Sequence, residues 1–179
     1  MNGKFEFFSA KSLALVGIMA ATLECGKLAL SFLPNIEVVT ILLALYGYVF
    51  GWYGVAAAVV FVCLEPLIWG VGGWIVTYII YWPAVAIVFM LLSGLKIKNR
   101  WVIASAAVIL TIIFGGLSSV VDVIFYLGIN RHFFVNILIY YTRGVVFYIV
   151  QIVCNATLFI VAFNYLESKL SALKRRFLL

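Results

Sequence analysis

Hydrophobic positions in this chain come in long unbroken runs. No charged residue interrupts Val38 to Leu64, Pro66 to Leu95, Trp101 to Val121 or Gly144 to Leu166. A helix crosses a bilayer with about 20 consecutive apolar residues, so each run is long enough to span. A further apolar segment, 12–33, is too long for a signal peptide and lacks a small-residue cleavage site. Glu24 directly before Cys25 also argues against a lipoprotein signal, and the segment reads as a span.

The stretch from Val38 to Trp69 admits one long kinked helix or two short ones. Gly47, Gly51 and Gly54, interleaved with Tyr48, Trp52 and Tyr53, have the composition of a tight turn with interfacial aromatics, which splits the region in two. The chain is then expected to be a single all-α membrane domain of six helices, about 12–33, 37–51, 54–69, 74–92, 101–127 and 135–166.

The distribution of basic residues tests the split. With six spans and an inside N-terminus, Lys4, Lys11, Lys96, Lys98, Arg100, Lys169, Lys174, Arg175 and Arg176 face the cytoplasm, against Arg131 in an outer loop. Fusing the second and third spans inverts that bias, contrary to the positive-inside rule. Both termini are therefore expected in the cytoplasm.

Composition agrees: 67% of residues are hydrophobic, 10% are charged and the mean hydropathy is +1.24, far outside the soluble range. The formal charge of +6 flanks the spans and lines no single surface, so it marks orientation and argues against nucleic acid as a partner. Cys25, Cys63 and Cys154 lie far apart in apolar segments without metal-ligand spacing and read as buried cysteines. The Asn155 sequon, "NAT", lies inside a span and is discounted.

Under this topology Glu24, Lys27, Glu65, Asp122, His132 and Arg143 all fall in the outer half. Charge inside a bilayer is costly, so residues of this kind usually face protein or a wet cavity. A cluster on one side points to an outward-facing pocket. Glu37, in the outer loop "FLPNIE", either caps the second span together with Asn35 or stands at the pocket rim. Asp122 and Arg143 are equidistant from the "GINRHF" turn and so lie at similar depth, placed for a salt bridge or for a pair that also touches ligand. Trp69 and Trp74 flank the glycines of the outer loop between the third and fourth spans, with Tyr78, Tyr81 and Trp82 following, either as an interfacial belt or as a mobile lid. Pro83 is expected to kink the fourth span and widen the interior. Ala10, Ala14, Gly17 and Ala21 recur every three or four residues and make one face of the first span small, as close helix packing requires, within this chain or against another subunit. Gly47 and Gly51 form a weaker pair of the same kind.

Several chemistries lack their motifs. There is no GxxxxGK[ST] loop, no HExxH and no GxSxG, and His132 is the single histidine, without an evident nucleophile partner. An enzyme is not expected. The two halves show no clear inverted repeat of the kind found in secondary transporters.

A small basic six-span chain, a small-residue face on span one and the stretch "LPNIEVVTILLALYGYVFG" together resemble the substrate-binding S-components of energy-coupling factor (ECF) vitamin transporters. The resemblance covers nearly the whole chain, and the first outer loop looks like that of members grouped with cobalamin uptake. It implies a multi-pass protein of a bacterial plasma membrane that captures a vitamin outside and docks by its first span on a transmembrane coupling subunit. Two cytoplasmic ATPases would supply the energy with ATP-Mg, and this chain itself would hold no cofactor and no metal. Ala10, Ala14, Gly17 and Ala21 match the docking strip. The implied pocket candidates are Glu37, Glu65, Trp69, Trp74 and Tyr78 from the first half, with Asp122, Asn130, Arg131, His132, Tyr140 and Arg143 from the second. Cobalamin is the first substrate expectation, with riboflavin, pantothenate or a pyridoxine-like compound as alternatives. A membrane scaffold without transport and a solitary carrier are the competing readings. A scaffold would bury Glu65, Asp122 and Arg143 in tight pairs, whereas a transport component would set them around an outer cavity.

Overall fold

The computed structural model describes residues 9–177 and is helical throughout, without strands among the described residues. In chain order the helices are α1 (Ala10–Leu30), α2 (Val39–Phe50), α3 (Trp52–Trp69), α4 (Trp74–Gly94), α5 (Arg100–Leu127), α6 (Phe133–Val161) and α7 (Phe163–Phe177). α1 and α3 to α6 are each long and apolar enough to cross a bilayer, and α2 is a shorter apolar helix. The surface carries large apolar side chains such as Ile18, Leu67, Ile79, Ile109, Phe134 and Val146, as a lipid-facing surface requires. The protein is a multi-pass all-α membrane protein.

α2 is the centre of the bundle. Ten of its twelve residues are buried, and it touches α1, α3, α4, α6 and α7. Lipid tails are as apolar as leucine, so helices associate in a membrane by close packing of small groups. Gly47 and Gly54 show this directly. A methyl group on Gly47 would come 2.1 Å from the Ala86 carbonyl oxygen of α4, and one on Gly54 would come 2.3 Å from the Tyr46 carbonyl carbon. Gly47 therefore serves packing within this chain and not a partner. Between them Gly51 turns the chain from α2 into α3 with a positive φ of 60°, a conformation that glycine adopts without strain.

The two ends of the bundle differ in charge. At one end the Tyr48 hydroxyl donates to the Ile97 carbonyl, and Lys174 of α7 donates to the Val49 carbonyl at the C-terminus of α2, where a cation is favoured. Lys96, Lys98 and Arg100 follow α4 at this end, the one that the positive-inside rule expects in the cytoplasm. Lys4, one of the residues in that charge argument, lies outside the described residues. The last span is shorter than the expected 135–166. α6 stops at Val161, and α7 restarts at Phe163, which is fully buried against Tyr48, Phe89 and Phe159.

α2 is about 18 Å long at 1.5 Å per residue, so it stops about 12 Å short of crossing a hydrocarbon core of about 30 Å. The α1–α2 connection fills only part of the space above it. A cavity occupies the rest.

Candidate functional site

The turn between α1 and α2 builds the cavity mouth. Asn35 takes a left-handed conformation, with φ of 62°, that asparagine tolerates. Asn35 therefore shapes the turn and is not the cap that the sequence pointed to. The cap is Glu37, whose Oε2 accepts from the Thr40 backbone N–H at 2.8 Å while Oε1 accepts from the Thr40 hydroxyl. One carboxylate thus covers an orphan backbone donor and the Thr40 hydroxyl at the α2 N-terminus, where the helix dipole favours an anion. Glu37 also lines the cavity.

The cavity has a volume of about 360 Å³. Residues 30–39 form one wall. Lys27, Trp69, Tyr78 and Trp82 form a second, and Phe114 of α5 with Tyr148 and Gln151 of α6 closes the third. Tyr78, Trp82 and Phe114 meet edge-on or tilted, with ring centroids 5.4 to 6.5 Å apart, and make a continuous aromatic surface. Trp82 is 4% exposed, and its indole N–H has no partner among the described residues. A buried donor without an acceptor is uncommon in folded proteins. A ligand carbonyl or ring nitrogen would satisfy it.

Lys27 occupies one corner. Its ammonium bonds to Glu65, which is fully buried, and lies 5.0 Å from the Trp69 ring, 5.1 Å from Tyr78 and 6.0 Å from Trp74. The rings lie within cation–π range of the ammonium, while Glu65 is wholly buried. Glu24, three residues before Lys27, is 6% exposed, and neither of its oxygens has a partner among the described residues.

Below the cavity a polar chain crosses the bundle. The Asn155 amide donates to Glu37 at 3.3 Å and to the Thr111 hydroxyl at 3.0 Å, and Thr111 donates to the Ala107 carbonyl. Asn155 is wholly buried, which bears out discounting its sequon.

The structure brings together some of the sequence candidates and separates others. Glu37, Trp69 and Tyr78 line the cavity, while Glu65 and Trp74 act on it through Lys27. Asp122, Asn130, Arg131, His132, Tyr140 and Arg143 do not line it. Asn130 organises the α5–α6 turn by accepting from the His132 backbone N–H at 2.9 Å, and His132 is exposed. Arg143 is exposed and lies 5.7 Å from the ring of Tyr140, one turn earlier on its own helix. Asp122 and Arg143 do not pair, and the single ion pair among the described residues is Lys27 with Glu65. Equal depth sets height along two helices but not rotation about them, and Arg143 is exposed beside Tyr140 of its own helix. Cys25 and Cys63 are exposed on the lipid-facing surface, contrary to the buried reading. α4 continues through Pro83 without a break.

Sequence reasoning passed over Phe114, Tyr148 and Gln151, placed Trp82 only among the aromatics of a possible lid, and treated Lys27 only as one of the outer charges. A signal existed for α6: Tyr148, Gln151, Asn155 and Phe159 are spaced 3, 4 and 4 residues apart, which is one helix face. Gln151, Asn155 and Phe159 are its three buried residues.

On α1 the small-residue strip is unpartnered. Ala10, Ala14 and Ala21 are exposed, and a methyl group on Gly17 would meet nothing within 4 Å. Compared with family models, curated proteins and solved structures, the chain returns no match.

Proposed function

We propose that this chain is the substrate-capture component of an ECF-type importer, binding a vitamin from outside and delivering it through a coupling subunit driven by two ATPases. The observation that carries the reading is the aromatic cavity above the short α2, at the end of the bundle opposite the basic residues. Trp82, with its unpartnered indole N–H, and Gln151 are among the residues that line it and would supply polar contacts to a ring system. The exposed small-residue face of α1 supports the second half of the reading, because such a face lets another membrane helix approach closely.

Cavity size bears on the substrate. Sites of about 300 to 1,000 Å³ hold drug-sized ligands, and this one lies near the lower limit. It favours a compact ring system over cobalamin, whose corrin is too large to be enclosed here and would have to lie across the mouth. A membrane scaffold explains the tight Lys27–Glu65 pair but leaves the cavity without a purpose.

Calorimetric titration of the detergent-purified protein with a vitamin panel, cobalamin included, tests the proposal. Tight binding of one vitamin, lost in Trp82→Ala, is the expected result. A folded protein that binds none of them, alone or with its coupling subunit, sinks it.

A further inference from the structure

Glu24, Lys27 and Glu65 bring two buried carboxyl groups to one ammonium. Lys27 bonds to one oxygen of Glu65, and the other oxygen is buried without a partner, as are both oxygens of Glu24. Buried carboxylates are ordinarily paired, because an unpaired one loses its hydration and gains nothing in return. Lys27 follows Glu24 by three residues on the same helix face and bonds Glu65 of α3, leaving Glu24 outside the ion pair.

The seat that Lys27 occupies suits any compact cation. Three aromatic rings surround it at 5.0 to 6.0 Å, and two of them, Trp69 and Tyr78, belong to the cavity wall. Lys27 is also the single cationic residue of that wall among the described residues. An anionic solute in the cavity would meet Glu37 beside an ammonium that Glu65 already engages.

We infer that the captured solute carries one positive charge and takes over the seat of Lys27, lying among Trp69, Trp74 and Tyr78 beside Glu65 while the released ammonium turns to Glu24. Two carboxylates then face two cations. The inference rests on the capture reading and adds a charge class: a compact ring system bearing a quaternary or protonated nitrogen.

Three bicyclic probes of matched size separate the possibilities: N-methylquinolinium, neutral quinoline and quinoline carboxylate. Each is titrated by tryptophan fluorescence at neutral pH into the unaltered protein, Glu24→Gln and Lys27→Gln. The cation is expected to bind at least about tenfold more tightly than the other two, and Glu24→Gln to weaken it about tenfold while leaving quinoline unchanged. Lys27→Gln, which empties the seat, is expected to tighten it. Preference for the carboxylate, or weaker cation binding in Lys27→Gln, makes Lys27 an anchor for anions and overturns the inference. If Lys27→Gln does not fold, Glu24→Gln decides alone, since that carboxylate holds nothing. A neutral or anionic vitamin that binds and is indifferent to Glu24→Gln overturns the charge class and leaves the capture reading standing. Absence of binding by every vitamin and every probe removes both.

Discussion

Glu37 and Asn155 stand 118 residues apart in the chain and meet across the bundle, amide nitrogen to carboxylate oxygen at 3.3 Å. Glu37 ties the outer loop to the first turn of α2, and Asn155 ties α6 to α5 through Thr111. The contact therefore joins the rim of the cavity to the helices beneath it. A carboxylate that only capped α2 would have no need of it.

Asn155→Ala removes both of these hydrogen bonds without touching the cap on Thr40. Hydrogen bonds between membrane helices contribute about 0.6 kcal/mol on average, and Thr111 loses a buried partner as well. A loss of about 1 to 2 kcal/mol is expected, read as a lower melting temperature in detergent. An unchanged melting temperature with Asn155→Ala would mean that the network contributes nothing.

Lys27→Met leaves Glu65 fully buried and without its cation. Breaking a buried pair from one side costs about 3 kcal/mol or more, so a pronounced loss of thermal stability is expected. Lys27→Met combined with Glu65→Leu removes both charges and should recover most of it. A double-mutant cycle on melting data measures the coupling.

Gly47 and Gly17 should respond in opposite ways to a larger side chain. Gly47→Ala drives a methyl group into the Ala86 backbone and is expected to cost about 3 kcal/mol, at the upper end for overpacking. Gly17→Leu meets open space and should leave the stability of the isolated protein within about 0.5 kcal/mol of the original. If α1 docks on a coupling subunit, Gly17→Leu abolishes co-purification with it. Retained co-purification moves the docking face elsewhere.

Binding should depend on the cavity wall and not on the charges nearest the α5–α6 turn. Tyr78→Ala and Trp82→Ala are each expected to weaken the captured vitamin about tenfold or more, since an aromatic contact contributes about 0.5 to 1.5 kcal/mol beyond its buried area. Asp122→Ala and Arg143→Ala should change it less than about twofold. The reverse ranking in calorimetry would place the ligand between α5 and α6.

The membrane class, the break at Gly51, the chain order of the spans and the charge bias of their ends are all legible in the sequence. They depend on hydropathy and charge summed along the chain, and the bilayer reads those sums directly. The concentration of ionisable residues toward one end follows from the same sums. Which of them touch is another matter. Asp122 and Arg143 have matching depth and do not pair, whereas Lys27 and Glu65, on α1 and α3, do. Glu37 finds Asn155, and Trp82 faces the cavity while Trp74 covers Lys27. Contacts of this kind depend on how far each helix is rotated about its own axis and how closely neighbours approach. Close approach is decided by glycines such as Gly47 and Gly54 against particular backbone atoms of other segments. A single chain read in order carries the helix period but not the phase of one helix against the next, and only the packed bundle sets that phase.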